Sequence, residues 1–203
     1  MARSLKKHLF NLIILASSSP RRKALLKQLK LNFRVIAPRF DEESAIQDLK
    51  LNSKAQALWL AKKKALEIKK RIRASLSSFI LAADTLIEFK GKVIGKPHNI
   101  KEAGLILKNL AGKTHFVHTG LVLVKGAMEI SRVATTKVKF RPLSQAEIDC
   151  YLKTNEWQGV AGGYRIQERG AFLIASLSGS YTNVVGLPVE DLYVMLKESG
   201  YLF

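Results

Sequence analysis

The chain has 203 residues, 47% hydrophobic and 25% charged, a composition that permits one domain or two small lobes around a buried core and excludes a disordered or fibrous chain. Its 34 Lys and Arg outnumber 16 Asp and Glu and give +18 at pH 7, so the partners to expect are polyanions: a nucleotide polyphosphate, a nucleic acid or an anionic surface. The single cysteine, Cys150, excludes an intrachain disulfide and a cysteine-based zinc site and fits a reducing compartment; no stretch approaches the roughly 20 apolar residues of a membrane span.

Residues 1–10 read as a basic leader carrying Arg3, Lys6 and Lys7. Lys6-Lys7 before an apolar run imitates a secretion signal, but Asn11 interrupts the run and it passes straight into Ser19-Pro20-Arg21-Arg22-Lys23 with no convincing cleavage pattern. The expectation is a cytoplasmic protein in which residues 11–203 form one domain.

Leu12-Ile13-Ile14-Leu15 is a short apolar run of the kind that makes a strand buried on both faces. Ala16-Ser17-Ser18-Ser19 follows, then Pro20, with Ala24, Leu25, Leu26 and Leu29 at helical spacing. Ser19 is a good N-cap and Pro20 suits the first helical position. Arg21 and Arg22 therefore sit in a first helical turn, where cations face the positive end of the macrodipole. Serine hydroxyls, free N–H groups and two guanidiniums converging there make an anion site suited to phosphate; a solvated basic helix start is the plain alternative.

Further along, Phe33 to Ala37 alternates like a strand, and Asp41, Glu42 and Glu43 form an acidic cluster. That cluster is either a solvated loop or a source of oxygen ligands for a hard cation. Residues 53–73 predict a long helix with Leu58, Ala61, Ala65, Ile68 and Ile72 near one face, and Lys62 and Lys64 bordering it at different angles. Phe79 to Ala83 predicts a second buried strand ending on Asp84-Thr85, a common place for a working carboxylate in α/β proteins and equally for a capping one. A hairpin over 86–94 turns at Lys90-Gly91 and leaves through Gly95-Lys96-Pro97, which fixes the backbone of Lys96.

Ala103, Ile106, Leu107 and Leu110 predict a helix closed by Gly112, followed by strands at about 116–124 and 132–140. Ser144 and Glu147 form a capping box for a helix with Ile148, Tyr151 and Leu152 inward and Cys150 as a buried small residue. Residues 160–170 read as a glycine-punctuated loop, 171–174 as a strand, 178–183 as a polar turn, and the last helix carries Leu192, Met195 and Leu196. His115 and His118 would face opposite sides of a strand, which speaks against a zinc pair.

Binding a nucleoside triphosphate takes cations from several directions and a divalent metal bridging oxygens. Arg21, Arg22, Lys64 and Lys96 offer the cations; Asp84 and Glu42 offer carboxylates for a metal, and Asp84 also for a water proton. Gln167, Ser180 or Asn183 offers neutral donors for a base edge.

Leu15-Ala16-Ser17-Ser18-Ser19-Pro20-Arg21-Arg22, Ala83-Asp84-Thr85, Gly95-Lys96-Pro97, Ala161-Gly162-Gly163-Tyr164-Arg165-Ile166-Gln167 and Gly186-Leu187-Pro188 together resemble the Maf family of nucleoside triphosphate pyrophosphatases, in order over nearly the whole chain. The resemblance implies an α/β fold, a mixed twisted sheet flanked by helices with two lobes around a central cleft, of the ITPase-like, Maf-like kind, often as a homodimer. It implies hydrolysis of the α–β phosphoanhydride with a divalent cation, Mg or Mn. By motif position Asp84 takes the proton-acceptor place; Ser17, Arg21, Arg22, Lys64 and Lys96 correspond to phosphate and substrate residues; Glu42 or Asp41 matches the acidic position. Arg21, Thr85 and Gln167 fall at specificity positions of the branch similar to dTTP/UTP pyrophosphatases. Ala82-Ala83 and Gly163 depart from the family's usual small residues and bear on base preference rather than reaction class.

The expected function is hydrolysis of dTTP and UTP, with modified pyrimidine nucleotides as further substrates, by a cytoplasmic homodimer without a membrane partner. The alternatives are the branch acting on 7-methyl-GTP, a broad nucleotide specificity, or a non-catalytic basic protein bound to nucleic acid or the septum. Against that last reading, Trp59 is the only aromatic near the basic run at 62–73.

Overall fold

Strand β1 (Ile13–Ala16) is buried along its whole length, as its unbroken apolar run requires of a strand covered on both faces. The computed structural model describes residues 12–40, 42–46, 50–72 and 78–203. The leader at 1–10, Asp41 and Arg73 lie outside the described residues. Around β1 the chain builds a seven-stranded mixed sheet in the order β2-β1-β3-β5-β6-β7, with β4 paired to β3.

After β1 come α1 (Pro20–Gln28), β2 (Phe33–Val35), α2 (Glu42–Ile46), α3 (Ser53–Ile72) and β3 (Phe79–Phe89). β2 and β3 flank β1 and both run parallel to it. Leu26 of α1 packs with Ile13 and Leu15 on one face of the sheet, while Ala61, Ala65 and Ile68 of α3 pack with Ile14 and Ala16 on the other. The chain thus turns opposite ways from β1 on opposite faces, which makes the carboxyl end of β1 a topological switch point, the place where open α/β sheets hold ligands.

β4 (Lys92–Ile94) returns along β3 after the expected Lys90-Gly91 turn, and α4 (Ile100–Leu110) follows. β5 (Thr114–Lys125) and β6 (Met128–Phe140) are longer than the sequence pattern predicts and pair from Thr114 opposite Lys139 to Lys125 opposite Met128. α5 (Gln145–Leu152) opens with the capping box of Ser144 and Glu147 and buries Ile148, Tyr151 and Leu152, but Cys150 lies exposed on its outer face, not buried as expected. The predicted strand at 171–174 is instead a 3₁₀ turn, Arg169–Leu173, and β7 is Ile174–Ser178. The Glu156 carboxylate accepts from the Arg169 and Gly170 N–H groups at 3.2 and 3.1 Å and holds that turn in place of a ladder. The expected polar turn contains a short helix, α6 (Tyr181–Val185), capped by Ser180, before α7 (Val189–Glu198).

The two lobes are two core regions strung on the long strands. One lies on both faces of β1 and the first half of β3, with Leu121, Leu192 and Met195 on the α1 side and Val122 on the α3 side. The other gathers Leu107, Ile148, Phe140, Trp157 and Tyr164 around the second half of β3 and the start of β5. Among the described residues no helix is long and apolar enough to cross a membrane.

Candidate active site

β3 does not stop at Asp84, as the sequence pattern predicts, but runs on to Phe89. Residues 79–82 pair with β1 and 87–89 with β4 on the same edge, so 83–86 face an open window between them. Asp84 and Thr85 lie in that window, beside the carboxyl end of β1. As neighbours on a strand they point to opposite faces.

Asp84 faces α3. Its cross-strand partner is Gly120, and a Cβ there would lie 2.4 Å from Leu58 Cα, so the glycine lets α3 settle directly on the sheet. Lys64, from the buried side of α3, reaches the window: its Nζ is 2.5 Å from Asp84 Oδ1 and 2.9 Å from Glu42 Oε1. Lys64 and Asp84 are 5% and 6% exposed, whereas Glu42, at the start of α2, stands in solvent. An ammonium thus joins the carboxylates of two segments distant in sequence, and each carboxylate keeps one oxygen without a hydrogen-bond partner among the described residues.

Thr85 faces α1. Ser19 caps that helix as predicted, accepting from Arg22 N, and Ser17 Oγ accepts from Ser19 N at 3.2 Å. Arg22, only 8% exposed, turns back under the loop. It donates from Nη1 to Ser17 Oγ at 3.0 Å, from Nη2 to Thr85 Oγ1 at 3.0 Å and from Nε to the Gly186 carbonyl at 2.8 Å. Gly186 ends α6 at φ 119°, a conformation that lets its carbonyl meet the guanidinium and that a side chain would strain. Burial pushes the Arg22 guanidinium below its ordinary value; Asp84 and Glu42 act in the opposite sense and Arg21 in the same one. The guanidinium remains charged at neutral pH. Its contacts leave two N–H groups uncommitted, and no carboxylate among the described residues is ion-paired with it.

Arg21 points out of the same turn, half-buried; burial, then Arg165, lowers its pKa, and Glu168 raises it, so the late glycine-rich block stands close by. Lys96 is exposed on the loop after β4, and that loop is tied to the block because Gly162 N donates to the Gly95 carbonyl at 3.0 Å. Gln167 is exposed on the block, whose backbone is anchored where Arg165 N donates to Tyr151 Oη at 3.2 Å. Ser17, Arg22 and Thr85 are therefore one bonded group, and Lys64, Asp84 and Glu42 a second. Arg21 adjoins the first, while Lys96 and Gln167 stand on loops joined to each other, with no hydrogen bond or ion pair to either group among the described residues.

Two expectations need correction. Asn183 is fully buried, donating from Nδ2 to the Val117 carbonyl at 3.0 Å and to Thr136 Oγ1 at 2.9 Å, so it does not read a base edge. Ser180 is taken up by Thr182 and by Glu190, at 2.9 and 2.8 Å. Conversely, Gly120, Thr119 and Gly186 shape the site without having been predicted there. Thr119 Oγ1 shares a hydrogen bond with Thr85 Oγ1 at 2.9 Å. Only the Gly186-Leu187-Pro188 motif carried a signal for any of them. His115 and His118 do lie on opposite faces, one against Tyr164 and the other against Thr135 and Glu88.

The family model described as "Maf-like protein" matches residues 12–199. A dTTP/UTP pyrophosphatase of Carboxydothermus hydrogenoformans is 43% identical over 93% of this chain and 99% of its own, and one of Symbiobacterium thermophilum is 43% identical over 93% and 94%. A dTTP/UTP pyrophosphatase of Pyrococcus abyssi is 40% identical over 92% and 95%. The solved structure of the Staphylococcus aureus Ham1 protein superposes on 64% of this chain and 71% of its own at 14% identity and a TM-score of 0.42. With the family model matched over residues 12–199 and relatives about 40% identical over more than nine tenths of its length, the chain belongs to the Maf-like family.

Proposed function

We propose that this chain hydrolyses dTTP and UTP, and modified pyrimidine triphosphates, between the α and β phosphates, releasing the nucleoside monophosphate and pyrophosphate. The observation that carries the reading is the pairing of a buried carboxylate, Asp84, with Lys64 in an open strand window beside the arginine-bearing turn at the switch point. The relatives described as dTTP/UTP pyrophosphatases support the substrate class.

In this reading the triphosphate lies across the carboxyl end of β1. The Ser17 loop, the free N–H groups of Arg22, and Arg21, Lys64 and Lys96 hold its phosphates, so the negative charge that grows on the leaving pyrophosphate meets cations already in place. Water attacks the α phosphorus, its proton passes to Asp84, and the bond from that phosphorus to the bridging oxygen breaks toward pyrophosphate. Thr85 and Gln167, together with Arg21 beyond its phosphate contact, set the base preference.

A divalent cation fits the donors present: Asp84 and Glu42 each offer an oxygen not engaged by Lys64, hard ligands of the kind Mg and Mn take. Bound there, it would neutralise phosphate charge and polarise phosphorus. We place the activity in the cytoplasm, in a homodimer whose subunit works as one domain over residues 11–203; the single cysteine supports the compartment and the family resemblance the dimer.

The test is pyrophosphate release from dTTP, UTP, CTP, GTP, ITP and 7-methyl-GTP with Mg or Mn. Values of kcat/KM for dTTP and UTP at least about tenfold above the rest are expected, corresponding to about 1.4 kcal/mol of discrimination. Release from 7-methyl-GTP alone, or from none, contradicts the reading.

A further inference from the structure

The Lys64 ammonium bridges the two carboxylates whose remaining oxygens would hold a divalent ion: it lies 2.5 Å from Asp84 Oδ1 and 2.9 Å from Glu42 Oε1, and is itself only 5% exposed. One ammonium and two carboxylates carry a net charge of about −1, and a divalent ion added to them would leave a positive cluster in a partly dry site, where like charges repel far more than in water. A triphosphate reverses that balance by bringing several negative charges. Lys64 has the means to respond, since its charge sits on a flexible four-carbon stem. Arg22 does not, because three hydrogen bonds to three segments hold it.

Building on the functional reading above, we infer that Lys64 is a resident counter-cation: it holds Asp84 and Glu42 together, keeps divalent ions off the free site, and leaves Asp84 for phosphate only when a triphosphate supplies the charge to hold both cations. The metal therefore enters with the nucleotide, and the free protein binds it weakly.

The experiment is direct Mn²⁺ binding to the full chain without nucleotide, read from the electron paramagnetic resonance signal of free Mn²⁺. The wild type should bind weakly and Lys64→Met at least about tenfold more tightly. Lys64→Arg, which keeps the charge while disturbing the packing, should stay within about threefold of the wild type, and Asp84→Asn added to Lys64→Met should abolish the gain. Equal affinities in the wild type and Lys64→Met, an equal gain in Lys64→Arg, or a gain that survives Asp84→Asn would overturn the inference.

Should Lys64→Met fail to fold, the wild type alone decides: about 1 mM Mn²⁺ without nucleotide should move its Tm by less than about 1 °C, and a rise of several degrees would contradict weak binding. Pyrophosphate release by the wild type is judged separately. Activity with unchanged Mn²⁺ affinities sinks only the role of Lys64, whereas inactivity on every triphosphate sinks the reading beneath it.

Discussion

Arg22 donates from Nη2 to the Thr85 hydroxyl at 3.0 Å, so the serine-rich turn after β1 and the unpaired window of β3 are held as one piece. The same guanidinium fixes Ser17 and the Gly186 carbonyl, and the three segments it joins are far apart in the chain. Truncating Arg22→Ala would leave those acceptors without their donor around a void. A loss of about 2–4 kcal/mol of stability is expected by chemical denaturation, together with loss of activity. Arg22→Lys should recover only part of either, since an ammonium cannot reproduce the fork.

Gly120 decides how closely α3 lies on the sheet. A methyl group there meets backbone atoms of Leu58 and Ala57 at 2.4 and 2.5 Å, which no side-chain rotation relieves. Gly120→Ala should cost on the order of 2–3 kcal/mol and, by lifting α3, draw Lys64 away from Asp84. A lowered Tm accompanied by a fall in kcat is the expected result.

Gln167 is exposed and makes no hydrogen bond within the described structure. Gln167→Ala should therefore change stability by less than about 0.5 kcal/mol while lowering kcat/KM for UTP and dTTP by about tenfold and narrowing the gap to CTP. Steady-state kinetics on the three nucleotides check it.

His115 is sealed against Tyr164 and Phe140, with Nε2 2.8 Å from Tyr164 Oη, and burial pushes its pKa from 6.5 down to about 4. The folded state thus holds the imidazole neutral where the unfolded chain would protonate it. Stability from this group is complete above about pH 6.5 and is lost as pH falls toward 4, by on the order of 2 kcal/mol between pH 6.5 and 5. Burial also lowers the His118 value, against the opposing effect of Glu88, so it adds to the same slope. Urea unfolding from pH 7.5 to 5 should show the decline, and His115→Gln should flatten part of it.

Much of this was legible in the sequence because local chemistry and tertiary structure agree. The Ser19 cap with Pro20, the capping box of Ser144 and the Lys90-Gly91 turn lie where short-range rules put them. Asp84 looked like a strand end because a charge interrupts an apolar run, yet the strand continues: Gly120 across from it leaves room for α3 and for Lys64, a relation between residues far apart in sequence. The same blindness hid Thr119 and the burial of Asn183, whose partners lie on β5 and β6. The expected strand at 171–174 failed because its donors close local 3₁₀ bonds, Ala171 N to the Glu168 carbonyl and Ile174 N to the Ala171 carbonyl, behind a turn that Glu156 anchors at Arg169 and Gly170.

Asp84→Asn tests the account most directly. The amide keeps the shape and an acceptor for Lys64, so the variant should fold with a Tm within a few degrees of the parent, while metal-dependent pyrophosphate release from dTTP and UTP falls by a factor of about 10² or more. A folded Asp84→Asn protein that releases pyrophosphate at the parent rate would contradict the assignment of Asp84 as the group that takes the water proton.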